Sequence, residues 1–208
     1  GLRRERPWLV PPGGSSARGT LGFVSAGLEL AAQVRAGALP APSAIYVPVG
    51  TGGTAAGLVV GLRLAGLRAQ VVGVLVNDIL PPSPRSLVRL ARATLRLLRH
   101  AGADVPPMAL APEDFPLLRD QLGPGYGVPT PAAERAQAVA AEAGLDLETT
   151  YGAKAMAALL EGSAAGALPE GPLLFWHTWN AVDVRTTAPG SLDPERLPPR
   201  LRRRLARG

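Results

Sequence analysis

Apolar, β-branched runs alternate along this chain with longer stretches in which apolar residues return every three or four positions, a pattern of strands alternating with amphipathic helices. Trp8 to Val10 reads as a short strand entering the Pro11-Pro12-Gly13-Gly14-Ser15-Ser16 loop. Ser15 or Ser16 is placed to cap a helix reaching about Arg35. Ala44 to Val49 reads as a strand, Ala55 to Leu67 as a helix, and Ala69 to Val76 as a continuous apolar strand of the kind covered on both faces. Together they make a βαβ unit. Pro81-Pro82-Ser83-Pro84 opens a helix to about His100, with Leu87, Leu90, Ala91, Leu97 and Leu98 on one face and Arg85, Arg89, Arg92, Arg96 and Arg99 on another. The long loop that follows holds Gly123-Pro124-Gly125-Tyr126-Gly127, too rich in glycine and proline for regular structure and long enough to serve a function. Helices over Ala132 to Ala143 and Ala153 to Leu160 lead to a buried strand, Leu173 to Trp176, and a charged tail from Asp193.

This order predicts an α/β fold: an open, mostly parallel sheet with helices on both faces. Residues 1–192 form one ligand-binding domain and 193–208 a charged tail. With 208 residues, 47% of them hydrophobic, the chain has ample material for a core. It has no cysteine, which excludes disulfides, zinc-thiolate sites and thiol catalysis. No apolar run reaches membrane-spanning length, and the opening Gly-Leu-Arg-Arg-Glu-Arg lacks a signal-peptide core, so a cytoplasmic protein with no membrane partner is expected. The net charge of +6 and the arginine stripe invite a nucleic-acid reading. No aromatic residue interleaves the stripe, and much of the remaining charge sits at the chain ends. A solvated face fits better, and no nucleic-acid partner is expected.

Chemistry concentrates at Gly50-Thr51-Gly52-Gly53-Thr54, between an apolar strand and an apolar helix. Glycines let successive backbone N–H groups turn toward one point, the helix adds the positive end of its dipole, and Thr51 and Thr54 add hydroxyls. The stretch is a phosphate cradle or, more simply, a glycine-rich turn. Two phosphorylated ligands compete for it. Gly50-x-Gly52-x-x-Ala55 satisfies the dinucleotide fingerprint, with Asp78 placed as the ribose-binding acid or as an ordinary strand-end turn residue.

The other ligand comes from a wider pattern. Pro12-Gly13-Gly14-Ser15, Gly19-Thr20-Leu21-Gly22-Phe23, the cradle with Ala56 to Leu62, Gly125-Tyr126-Gly127, Thr150-Tyr151-Gly152-Ala153-Lys154-Ala155 and Leu174-Phe175-Trp176-His177-Thr178 follow one another. In order and spacing, from about Trp8 to Asp183, they resemble the 1-aminocyclopropane-1-carboxylate deaminase and D-cysteine desulfhydrase family of pyridoxal-phosphate enzymes. The resemblance implies a tryptophan-synthase-β-like fold (type II), here incomplete. It also implies pyridoxal 5′-phosphate as cofactor, a small amino-acid substrate, release of ammonia with a 2-oxo acid, and a homodimer for the intact protein. Thr51, Gly52, Gly53 and Thr54 would hold the cofactor phosphate, Tyr151 would lie against its ring, and Tyr126 would face the substrate as an acid/base or orienting hydroxyl. Read alone, Tyr126 is a loop anchor and Tyr151 a half-buried core residue.

The chain departs from the family pattern in three places. The lysine that carries the cofactor lies, in the family, before the Gly-Gly-Ser loop, and the chain starts without methionine. It is therefore expected to be the C-terminal part of a longer enzyme, inactive alone. Lys154, the one lysine among 22 basic residues, matches the family's structural lysine and reads as a helix-terminus or surface residue. Gly152 stands where the family places glutamate or threonine beside the pyridine nitrogen, leaving Thr178 as the available hydroxyl. The family's His-Thr-Gly-Gly is His177-Thr178-Trp179-Asn180 here, so a bulkier pocket floor is expected, with His177 structural.

Overall fold

A computed structural model describes residues 9–178, 196–199 and 202–203; Trp8, Trp179, Asn180 and most of the 193–208 tail lie outside them. Four strands, β1 (Ala44–Val49), β2 (Gln70–Leu75), β3 (Leu117–Leu118) and β4 (Leu173–Phe175), form one sheet in the order β3-β2-β1-β4. Every pairing is parallel, with Ala44 opposite both Gln70 and Leu173. The helices are α1 (Leu21–Arg35), α2 (Gly53–Leu64), α3 (Pro84–His100), α4 (Pro131–Glu142) and α5 (Gly152–Ala164). Strand alternation sorts the core: Ile45, Val47, Val49, Val71 and Leu75 pack with α1, α2 and α3. Ala44, Tyr46, Val72 and Val74 pack with Ala155 and Ala158 of α5, and α4 closes over α5. With both faces covered, the central strands read as unbroken apolar runs.

Glycines bring α1 and α2 unusually close. A Cβ on Gly61 would lie 2.2 Å from the Val24 carbonyl oxygen, and one on Gly57 would lie 2.5 Å from Phe23 Cβ. This approach carries the loop before α1 onto the start of α2.

Several expected elements differ. Leu9 and Val10 form no strand and are exposed, having no strand partner. Neither serine caps α1 directly: Ser16 Oγ accepts from Gly19 N–H in a turn that delays the helix to Leu21, and Ser15 turns toward α2. The α2 helix stops at Leu64 because Gly66, at φ +72°, reverses the chain and lets Leu67 N–H bond the Leu62 carbonyl. Conversely, α5 runs four residues beyond the expected Leu160, to Ala164. The short edge strand β3 was not foreseen in the long loop, and β4 is half-buried rather than buried. On α3, Arg92 donates to the Leu110 carbonyl and Arg99 to those of Val105 and Pro106, so part of the arginine stripe fastens the following loop. Among the described residues no helix is long and apolar enough to cross a membrane.

Candidate active site

The cradle forms where β1 gives way to α2, at the carboxyl ends of the strands, the usual ligand position in open parallel sheets. Gly52 is the N-cap of α2 with φ +94°, and α2 starts at Gly53 with no side chain of its own cap residue bonded to it. The cap comes from elsewhere. Ser15 Oγ accepts from Gly53 N–H at 3.1 Å and is hydrogen-bonded to Thr51 Oγ1 at 2.7 Å. The loop 12–15 thus lies against the cradle, and a Cβ on Gly13 would sit 2.2 Å from Thr51 Oγ1. Gly52 meets a different constraint. Besides its positive φ, its missing Cβ would be 2.2 Å from Leu87 on α3, so a side chain there would strike the core.

Across the cleft stand the two tyrosines. Tyr151 precedes α5, and its hydroxyl donates to that of Tyr126 at 3.0 Å, with the rings edge-on and centroids 5.9 Å apart. Glu148 holds this corner by accepting from the N–H groups of Thr150, Tyr151 and Gly152 at 2.6–3.0 Å, which caps α5 and sets a negative charge at its positive end. Burial first, then the Tyr126 hydroxyl and the Glu148 charge, push the Tyr151 pKa up to about 12. The Tyr151 ring also closes on the cradle, since a Cβ at Gly50 would lie 3.2 Å from it.

Lys154 is not a surface residue. It is 0% exposed, in the first turn of α5, and its Nζ donates to the carbonyls of Leu122 at 2.7 Å and Gly125 at 3.3 Å. Burial lowers its pKa, while Asp78 and Glu148 act in the opposite direction. Asp78 fits its reading as a strand-end turn residue: its Oδ1 accepts from Tyr126 N–H at 3.0 Å, and it does not line the cleft.

Six separate stretches converge on one cleft of about 480 Å³: the loop 12–15, the cradle 50–54, Asn77 just after β2, Tyr126, Tyr151 and Thr178. Every site residue expected from sequence, Thr51, Gly52, Gly53, Thr54, Tyr126, Tyr151 and Thr178, lines it. His177 stacks on Phe175 instead, with centroids 6.2 Å apart. A neighbouring hollow of about 440 Å³ shares Tyr126, Tyr151 and Thr178 and reaches Glu148. Sequence reasoning missed Ser15 as the cap of the cradle, Asp78 as the anchor of the tyrosine loop and Glu148 as the cap of α5. Glu148 lies four residues before the start of α5, outside the usual capping spacing, so its role was not legible from sequence. The donor set fits a phosphorylated planar ligand of modest size: helix N–H groups and hydroxyls at one end, tyrosine rings along the wall.

A family model described as pyridoxal-phosphate dependent enzyme matches residues 1–178. The D-cysteine desulfhydrase of Klebsiella pneumoniae is 36% identical over 178 residues, covering 85% of this chain and 51% of that protein. That of Salmonella schwarzengrund is 34% identical with the same coverage. A solved structure described as an ACC deaminase homologue superimposes with a TM-score of 0.63 at 28% identity, covering 82% of this chain and 49% of its own. The chain spans about half the length of these relatives.

Proposed function

Since this chain belongs to the pyridoxal-phosphate-dependent enzymes, we propose that the cleft holds pyridoxal 5′-phosphate and that the whole protein degrades a small amino acid in the manner of a D-cysteine desulfhydrase. The observation that carries this is the meeting of cradle, tyrosine pair and Thr178 in one cleft at the carboxyl ends of the strands. When bound, the cofactor supplies an electron sink for charge developing on the substrate. The chain's own residues do the rest. Thr51, Gly52, Gly53 and Thr54 receive the phosphate, helped by the α2 dipole. Ser15 Oγ accepts from the Gly53 N–H and would give that donor up to the phosphate on binding. Tyr151 presents its ring to the ligand and its proton to Tyr126, leaving the Tyr126 hydroxyl free to give its own proton to the substrate side.

Thr178, which lines the cleft, would be the hydroxyl available to the cofactor ring, since Gly152 brings no side chain. A neutral partner there would make the ring a shallower electron sink than a carboxylate would, which would suit loss of a good β-leaving group better than opening of a cyclopropane ring. Lys154 cannot carry the cofactor while it is buried and bonded to two carbonyls.

Binding of the cofactor by this chain is therefore reversible and non-covalent. Equilibrium dialysis should give saturable but dialysable pyridoxal phosphate, and borohydride treatment should leave Lys154 unmodified by mass spectrometry. A pyridoxyl group on Lys154, or no saturable binding, would contradict the assignment.

A further inference from the structure

We propose that Asp78 is a positioning residue for Tyr126: with Lys154 it grips the single peptide group between Gly125 and Tyr126 and so fixes where the Tyr126 hydroxyl points. The inference rests on Tyr126 facing the reacting centre, as proposed above. The carbonyl oxygen of this peptide accepts from Lys154 Nζ at 3.3 Å, and its N–H donates to Asp78 Oδ1 at 3.0 Å. A cation thus sits at the negative end of the peptide dipole and a carboxylate at the positive end. Rotating the peptide by half a turn would set oxygen against carboxylate and N–H against ammonium, so both charges oppose the flip. Gly125 makes the grip possible. Its φ is +153°, and a Cβ there would lie 3.2 Å from Asp78 Oδ2.

Among the described residues, the other hold on Tyr126 is its hydroxyl and ring contact with Tyr151. Tyr126 is 41% exposed and lies between Gly125 and Gly127. The two gripping groups are anchored outside the tyrosine loop. Asp78 follows β2 in a turn where Asn77 Oδ1 accepts from Ile79 N–H at 2.9 Å, and Lys154 sits in the first turn of α5, three residues after Tyr151. The same helix therefore references both tyrosines, and Asp78 ties the loop to the sheet. Asp78 does not line the cleft, so its influence on a ligand passes through Tyr126.

Nuclear magnetic resonance of the whole chain, without cofactor, tests this. In the unmodified chain the Tyr126 amide should be protected from hydrogen exchange, and its ring protons should cross-relax with those of Tyr151. Asp78→Ala should speed exchange of that amide by about 10- to 100-fold, the range of a charged hydrogen bond, and abolish the ring contact. Asp78→Asn keeps an acceptor oxygen and should restore both, with exchange within a few-fold of the original. Unchanged exchange and ring contact in Asp78→Ala, or an asparagine variant as perturbed as alanine, would overturn the proposal. Titrating the same samples with pyridoxal phosphate separates the two assignments, because absent binding to the unmodified chain counts against the proposed function while the loop signals are read without any ligand.

Discussion

The hydroxyl pair at Tyr126 and Tyr151 has a direction, because Tyr151 donates and Tyr126 is left with a proton to give. Under the proposed function Tyr126→Phe should lower turnover by about 100-fold or more, as loss of a general acid or base does, with cofactor affinity unchanged. Tyr151→Phe keeps the ring and should retain cofactor binding; steady-state kinetics and cofactor titration of both variants check the contrast. The same pair gives a pH signature. A phenol whose pKa rises from 10.0 in the unfolded chain to about 12 in the folded one contributes stability that is complete below pH 10 and lost as pH climbs toward 12. Chemical denaturation across that window should show a decline that Tyr151→Phe reduces; equal declines in both proteins would contradict the raised pKa. Single residues were also where sequence reading was weakest. Lys154 was legible as a lysine at a helix start, but its burial depends on the carbonyls of Leu122 and Gly125, some thirty positions earlier in the chain. Asp78 likewise found its partner 48 positions away.

Among the elements, the contact of α1 with α2 matters most, because it delivers Ser15 to the cradle. Two glycine-to-alanine changes separate packing from helix propensity. Gly61→Ala gains about 1 kcal/mol of propensity but forces a methyl group onto the Val24 carbonyl at 2.2 Å, so a net loss of about 1–2 kcal/mol and weaker cofactor binding are expected. Gly22→Ala, on the same helix pair with nothing within 4 Å of its Cβ, should instead gain up to about 1 kcal/mol. Urea unfolding measures both, and destabilisation of equal size would remove the packing argument. Strand β1 was legible to the residue, since an unbroken apolar run is a local signal, and the Pro81 to Pro84 stretch marked the entry to α3 without fixing its first residue. Leu9 to Val10 and β3 were not legible. Each is only a few residues long, and pairing alone separates them: Leu117 finds Gly73, whose absent Cβ would lie 2.6 Å from its side chain, whereas Leu9 finds no strand.

At the scale of the whole molecule, the ordered succession of motifs carried more than any one of them, because the topology gathers them at the carboxyl ends of the strands. Glycine spacing alone left a dinucleotide and pyridoxal phosphate both open; the family match over residues 1–178 decides for the second, and Asp78, bonded to Tyr126, does not line the cleft. The curated relatives are about twice this chain's length, and the chain carries the cradle and the tyrosine pair. The direct test is an amide-resolved titration of this chain with pyridoxal phosphate, followed by nuclear magnetic resonance and repeated on Gly53→Asp, which brings a carboxylate to the cradle. The largest shifts should fall on Thr51, Gly52, Gly53 and Thr54, with smaller ones at Tyr151 and Thr178, and they should vanish in Gly53→Asp. Shifts centred instead on the arginine-bearing face of α3, or shifts that survive Gly53→Asp, would show that the cleft is not the cofactor site.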